Sequence, residues 1–520
     1  MKKYIAIVLI FFMTVVSGCI KKKEVNTKVR DYIVYNIEKL PEDLIMLDNH
    51  NIRQEELLLC LFEGLVSVDE KGEIVPALAS EWETSEDKLS YQFTIRDNAK
   101  WSDGSDITAD DFVDFFSELL KYQNNIYKQQ LYCIFGARDY AENKVDMDSV
   151  AVNAVDNKTL EIRLNYPCSY FLDILGQPIY VLRKDFNYLK EWKKNYDRIL
   201  YSGAFKLESI SDKLEPCFLK NKMYWDNKNV ISDKLYIKNE EASAFVLADY
   251  KWNEVDIMTD PPKSEINEFL KNDEILKNYS LDGMSLYFNL NKQGIVRDDN
   301  FRKCINYCIS RKDINNISSG EVVKSFVPQN IKGYSFNSSL FTEYSSSSKA
   351  EEFLDKSKYN KEKIKLVYCS EKQNNKEIVD EIVKSLKTIN LNILSEGYNQ
   401  EKFKEVIENS EYDVLLTEYI GEYNSPMAFL EKWVSNSRFN IYGYNNIDYD
   451  VLILKARITR DNNQAIQYLN SAQELLYNDM PCIPLYFYEN IICRKKYIEG
   501  LQINKRGNII LKNIYIKKPI

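Results

Sequence analysis

An α/β fold with more than one small core is what this sequence predicts, and three observations predict it. The first is an alternation late in the chain: a strand pattern at Lys363–Tyr368, a helix at Lys376–Ile389 with apolar Ile378, Ile382, Val383, Leu386 and Ile389, a strand at Leu391–Leu394, a helix at Phe403–Ile407 and a strand at Tyr412–Thr417. Such a β-α-β-α-β run implies parallel pairing with right-handed crossovers. The second is length, since 520 residues exceed one small core and call for two or three domains or one large two-lobed body. The third is composition: 45% hydrophobic and 28% charged residues describe a globular chain, neither disordered nor embedded in a membrane.

The charge removes one class of partner. The formal net charge is −9, and taking away a leader that carries Lys2 and Lys3 leaves 67 basic against 78 acidic residues, a net of −11. Without a basic stripe, that balance argues against nucleic acid. Tyrosine outnumbers phenylalanine 37 to 24, which fits either a contact surface rich in amphipathic rings or AT-rich codon usage.

The elements follow in order. Met1-Lys2-Lys3 and the apolar run Tyr4–Val16 have the charge and length of a signal peptide, 1–18, too short to span a bilayer. Val16-Ser17-Gly18-Cys19 resembles the bacterial lipobox, which implies acylation of Cys19, a linker over 19–29, and Lys21-Lys22-Lys23 lying against anionic headgroups. The nine other cysteines sit mostly in apolar company and read as core. Cys304 and Cys308 share a helical spacing, but His50 is the one histidine and no further metal ligands stand near.

Arg30–Asn36 reads as a strand, and Glu55–Leu65 as a helical run ended by Gly64. A turn at Glu70–Gly72 precedes Pro76–Trp82 and the alternating strand Tyr91–Arg96. Ala99–Gly104 turns into a helix capped by Thr108, with Asp111 completing a capping box. Ser345–Lys349 reads as a surface loop. After the strand Tyr412–Thr417, Glu418–Asn424 sets two carboxylates and two tyrosines beside a flexible Gly421, and Ser425 with Pro426 opens a helix. In open α/β sheets ligands bind at the carboxyl ends of strands, where this loop lies.

Taken in order, these segments resemble the family-5 extracellular solute-binding proteins, the oligopeptide- and dipeptide-binding receptors of ABC importers. The resemblance rests on Phe62-Glu63-Gly64-Leu65, the proline-to-tryptophan segment Pro76–Trp82, Lys100-Trp101-Ser102-Asp103-Gly104, Thr108–Val113, Ser202–Leu207, Asn221–Asn227, Tyr287–Asn291, Phe301-Arg302-Lys303, Ser310-Arg311-Lys312 and Pro481–Tyr488. It implies a two-lobed periplasmic-binding-protein-like fold of type II, in the large peptide-binding subclass. The first lobe would take 30–66, 200–284 and 499–520, an extra subdomain 67–199, and the second lobe 285–498.

The family holds a peptide's α-ammonium with an acidic residue in a D-Y-x-x-P segment, which Glu422-Tyr423-Asn424-Ser425-Pro426 matches with one extra methylene. The resemblance thus makes Glu422 the ammonium anchor and places Tyr419, Tyr423, Asn424, Tyr486, Tyr488, His50 and Ile52 at the ligand. Leu416 stands where some relatives have an arginine near the ligand's carboxylate, and Glu418 has no assigned role.

No catalytic constellation is legible. One histidine outside a G-x-S-x-G setting gives no activated nucleophile, and Glu418 and Glu422 share one loop instead of flanking a glycosidic bond. No P-loop is present, so ATP hydrolysis belongs to a partner. The expectation is a monomeric lipoprotein receptor, not an enzyme, without cofactor or metal. It would be anchored to the outer face of the cytoplasmic membrane of a Gram-positive bacterium and pass peptides to an ABC permease with its ATPase subunits. The alternatives are another solute (nickel chelate, haem, oligosaccharide), a signalling peptide or, remotely, a surface hydrolase.

Overall fold

A computed structural model describes residues 30–517 apart from 49–50, 214, 319, 330, 332–333 and 337–338. The expected signal peptide, linker and Cys19, and also His50, lie outside the described residues. Among the described residues an eleven-stranded sheet runs across both lobes. Its path is Ile393–Tyr398, Ile364–Cys369, Val414–Tyr419, Ile275–Phe288, Cys482–Arg494, Ile257–Thr259, Ile33–Asn36, Lys234–Lys238, Pro216–Lys220 and Phe205–Ile210, with Glu321–Val322 pairing off that path.

The second-lobe alternation folds as its pattern requires. Ile364–Cys369 pairs in parallel with Ile393–Tyr398 and with Val414–Tyr419, and the helices Asn375–Lys387 and Gln400–Glu408 make the crossovers. Helix Asn375–Lys387 buries Ile378, Val379, Ile382, Val383 and Leu386 on one side, the stripe that a period of 3.6 residues dictates. Val414–Tyr419 then meets Ile275–Phe288 antiparallel, so the sheet is mixed.

Two long strands join the lobes. Ile275–Phe288 (14 residues) and Cys482–Arg494 (13 residues) pair antiparallel, and the expected lobe boundary at 284/285 falls inside the first of them. Their register breaks between Tyr279 and Gly283, opposite Tyr488, which leaves Ser280, Leu281 and Asp282 out of the ladder. Gly283 is required where the ladder resumes, because a Cβ there would lie 2.3 Å from the Tyr486 carbonyl oxygen.

The extra subdomain carries a four-stranded antiparallel sheet, ordered Ala79–Thr84, Ser90–Ile95, Thr159–Arg163, Val152–Asp156. Against it packs helix Ala109–Lys121, opened by the Thr108–Asp111 capping box and burying Phe112, Phe115, Phe116, Leu119 and Leu120.

Two expectations need correction. The helix placed at Glu55–Leu65 runs Ile52–Leu61, because Asn51 and Gln54 form a capping box earlier and Phe62 leaves in extended conformation; Gly64 lies beyond the helix and terminates nothing. Ser345–Lys349 is not wholly loop: helix Ser347–Lys356 begins within it, drawn in by buried Ala350 and by Phe353 and Leu354 packing on the core. The nine described cysteines are free and buried.

Candidate functional site

The strand Val414–Tyr419 ends at the meeting of the lobes, and the loop after it is bound from several sides. The Gly421 amide donates to Asp282 Oδ1 at 2.8 Å, the Gly421 carbonyl accepts from Arg506 at 3.3 Å, and Asn424 Nδ2 donates to the Gly72 carbonyl at 3.4 Å. Tyr423 stacks on Tyr170 of the extra subdomain, rings 5.9 Å apart and 9° from parallel. Gly421, expected to be flexible, is needed for its size: a Cβ there would lie 2.3 Å from Phe429 Cζ.

The helix starts one residue later than expected, with Pro426 and not Ser425 at its cap. Ser425 Oγ accepts from the Met427 amide at 3.4 Å, and Pro426 has φ −58 and ψ −26. Helix Met427–Leu430 lasts one turn and passes into a 3-10 turn, Glu431–Trp433. That reversal returns Lys432 to the loop, where its ammonium meets Glu422 Oε1 at 2.6 Å and donates to the Ile420 carbonyl. The Glu422 and Lys432 side chains are only 6% and 14% exposed. Glu422 is therefore not an open carboxylate: an ammonium of the chain itself already holds it.

The other expected residues divide. Tyr423 OH donates to Glu431 Oε1 at 2.7 Å. Tyr419 is turned into the core, its OH donating to the Phe429 carbonyl at 3.3 Å. Tyr486 is buried in the ladder, while Tyr488 sits half-buried in the register break, edge-on to Tyr486 at 5.5 Å. Ile52 opens its helix, and its carbonyl accepts from Asn508 Nδ2 at 2.9 Å.

Groups that the sequence reading missed complete the arrangement. Arg506 clamps Glu55 through two hydrogen bonds of 2.9 and 2.7 Å. Tyr127, Gln177 and Ile179 of the extra subdomain join Glu55, Arg506 and Glu422 around a narrow crevice. Asp282 looks on the same charges: Arg506 draws its proton affinity down while Glu55 and Glu422 raise it, and burial, the largest influence, pushes its carboxyl up to about 6. It makes no ion pair among the described residues.

Glu418 gains a partner here, pairing with Lys372 at 3.3 Å. From the first lobe Asp260 and Glu38 add carboxylates whose proton affinities are raised, in both by burial first and then with Arg53 opposing it for Asp260 and Asp260 adding to it for Glu38. Asp260 still reaches solvent, as a cleft wall does. Tyr488 stands among these groups, burial raising its phenol most and Glu418, Asp282 and Asp260 adding to it. Beyond Tyr423, a chamber of about 610 Å³ opens between the extra subdomain and the second lobe, lined by Tyr132, Tyr166, Tyr170, Phe439, Glu431 and Arg457 among others. That volume is in the range of small-ligand sites.

One missed group had a signal in the sequence. Asp282-Gly283 interrupts a strand pattern, and a polar residue beside glycine inside a strand marks a bulge. Arg506 and Glu55 are 451 residues apart and carry no local sign of each other.

Comparison with known proteins agrees with this architecture. The model of the bacterial extracellular solute-binding proteins, family 5 Middle, matches residues 73–440. The oligopeptide-binding protein OppA of Bacillus subtilis (strain 168) is 28% identical over 480 residues, covering 88% of this chain and 87% of that protein. The periplasmic murein peptide-binding protein MppA of Escherichia coli (strain K12) is 28% identical over 508 residues, covering 94% and 93%. The solved structure of the Escherichia coli murein tripeptide binding protein MppA superposes with a TM-score of 0.83 at 25% identity, over 94% of this chain and 99% of that one. With a family match across well over half its length and relatives along nearly all of it, this chain belongs to the bacterial extracellular solute-binding proteins of family 5.

Proposed function

We propose that this protein is a lipid-anchored receptor, acylated at Cys19 on the outer face of the membrane, that captures oligopeptides between its lobes and delivers them to an ABC permease. It works as a monomer and performs no chemistry on its cargo; ATP hydrolysis belongs to the importer's own subunits. The observation that carries this reading is the family match over residues 73–440, supported by the chamber of about 610 Å³ between the extra subdomain and the second lobe. The names of the similar proteins, oligopeptide-binding and murein peptide-binding, point to the same class of ligand.

In this reading the peptide's amino end enters the carboxylate group to which Glu422 belongs, with Tyr423, Asn424, Tyr488 and Ile52 bordering it. Tyr419 and Tyr486 contribute from beneath, and the family resemblance adds His50. Hydrogen bonds to the ligand's backbone let side chains vary. The register break at Ser280–Asp282 and Tyr488 lets the lobes close about the long strands, a hinge motion of the periplasmic-binding-protein kind. Glu422→Gln tests the site: it leaves Lys432 without its counter-ion beside the incoming ammonium, so affinity for peptides with a free amino terminus should fall about tenfold or more in calorimetry. Unchanged affinity removes Glu422 from the site.

A further inference from the structure

The first described residue, Arg30, is held in a definite place on the first lobe. Its guanidinium pairs with Asp256 at 2.8 Å and donates to the carbonyls of Asn253 and Glu254, the latter at 3.3 Å. These carbonyls directly follow Trp252, which closes helix Ser243–Lys251 and is 74% exposed. Phe245, seven residues earlier and so on the same helix face, is 64% exposed. Tryptophan is highly buried on average, and the other five in this chain are buried or half-buried. The helix already has an inward face: Val246 and Tyr250 turn into a small core with Phe269, whose ring lies 5.4 Å from that of Tyr250. The two outward rings are therefore surplus to the packing of the lobe, and the neighbouring helix Lys263–Lys271 exposes Leu270 as well.

We propose that the face carrying Phe245 and Trp252 seats on the bilayer to which the chain is tethered. This rests on the acylation of Cys19 and goes beyond it: the acyl chains retain the protein, and the aromatic pair decides which face meets the lipid. Arg30 lies eleven residues after Cys19, a stretch that reaches about 40 Å at full extension. Trp252, beside Arg30, is thus kept close to the membrane by the tether itself. Indole and phenyl rings favour the headgroup level of a bilayer, and an apolar helix face lies in the plane of that interface. Lys21-Lys22-Lys23 put positive charge on the tether, toward anionic headgroups. Two rings are too few to hold a free protein on a membrane, but a short tether keeps the face at high local concentration, where a weak contact suffices.

The test reconstitutes the full-length, membrane-extracted protein in phosphatidylglycerol vesicles with and without brominated acyl chains, which quench indole on contact. Wild-type emission should fall by about a sixth, the share of one tryptophan in six. Trp252→Tyr should bring that loss below about a third of the wild-type value. Phe245→Ser, which keeps every tryptophan, should reduce the quenching about twofold or more, whereas Ile447→Ser, at an equally exposed apolar position of the second lobe, should leave it unchanged. The mass of the amino-terminal peptide from the same sample reads the acyl chains on Cys19, and protein that lacks them defeats the anchor reading and this assignment with it. Acylated protein retained by the vesicles but unquenched, or quenched equally in Trp252→Tyr, defeats the seating and leaves the anchored receptor standing. Wild type that sediments in detergent as a dimer, with Trp252→Tyr a monomer, gives the face to a second copy of the chain and overturns the proposal.

Discussion

Replacing Lys432 by methionine probes the arrangement that the structure adds to the loop. The side chain fills the same length without its charge, leaving Glu422, 6% exposed, without the ammonium that stood 2.6 Å away. Breaking a buried pair from one side costs about 3–5 kcal/mol, because the remaining charge stays desolvated. The lost hydrogen bond to the Ile420 carbonyl adds to that, whereas Arg506, close enough to feel Glu422, offsets part of it. A net loss of about 3 kcal/mol is expected, read as a lower denaturant midpoint by tryptophan fluorescence in the absence of ligand. Removing both charges, Lys432→Met with Glu422→Gln, should recover at least about 1 kcal/mol of that loss, since neither group is then buried unpaired; the double-mutant cycle measures the coupling. A single variant within about 0.5 kcal/mol of wild type, or a double variant whose loss is the plain sum of the two singles, would refute the pairing.

Two further outcomes follow from the same site. Asp282 holds its proton up to about 6 because of burial, above the unfolded value of about 4, so between these values the folded protein binds more protons than the unfolded chain and stability falls as pH rises. Unliganded wild type should thus lose about 2 kcal/mol relative to Asp282→Asn between pH 4 and pH 7, and parallel melting curves across that range would contradict it. Gly421→Ala pushes a Cβ to within 2.3 Å of Phe429 Cζ and 3.0 Å of Leu281 Cβ, so it should cost about 1–3 kcal/mol and weaken peptide binding measured by calorimetry; a neutral result on both would show that the loop has room.

Much of the fold was legible because it is written locally. The 3.6-residue stripe of Asn375–Lys387, the Thr108–Asp111 box and the parallel strands about Ile364–Cys369 each follow from a few neighbouring residues. The loop was also legible, although its helix starts one residue after the expected Pro426. Its charge state was not. Lys432 returns to Glu422 only because the helix stops after one turn, and helix length depends on packing more than on pattern. Asp282 and Arg506 reach the site through the pairing of two strands and the return of the C-terminal segment to the first lobe, events that no window of sequence contains. The helix start at Ile52 was misread for a nearer reason: the apolar run from Leu57 dominates the pattern, whereas the capping box at Asn51 and Gln54 is polar and precedes it.

Native mass spectrometry of the purified full-length protein tests peptide capture most directly. A receptor that holds peptides by their backbone and amino end should carry a ladder of small masses, released on denaturation, sequenced as peptides with free amino termini and replaced when a defined digest is added. A protein that releases no peptide, takes up none from the digest, or releases one non-peptide solute of single mass would contradict it.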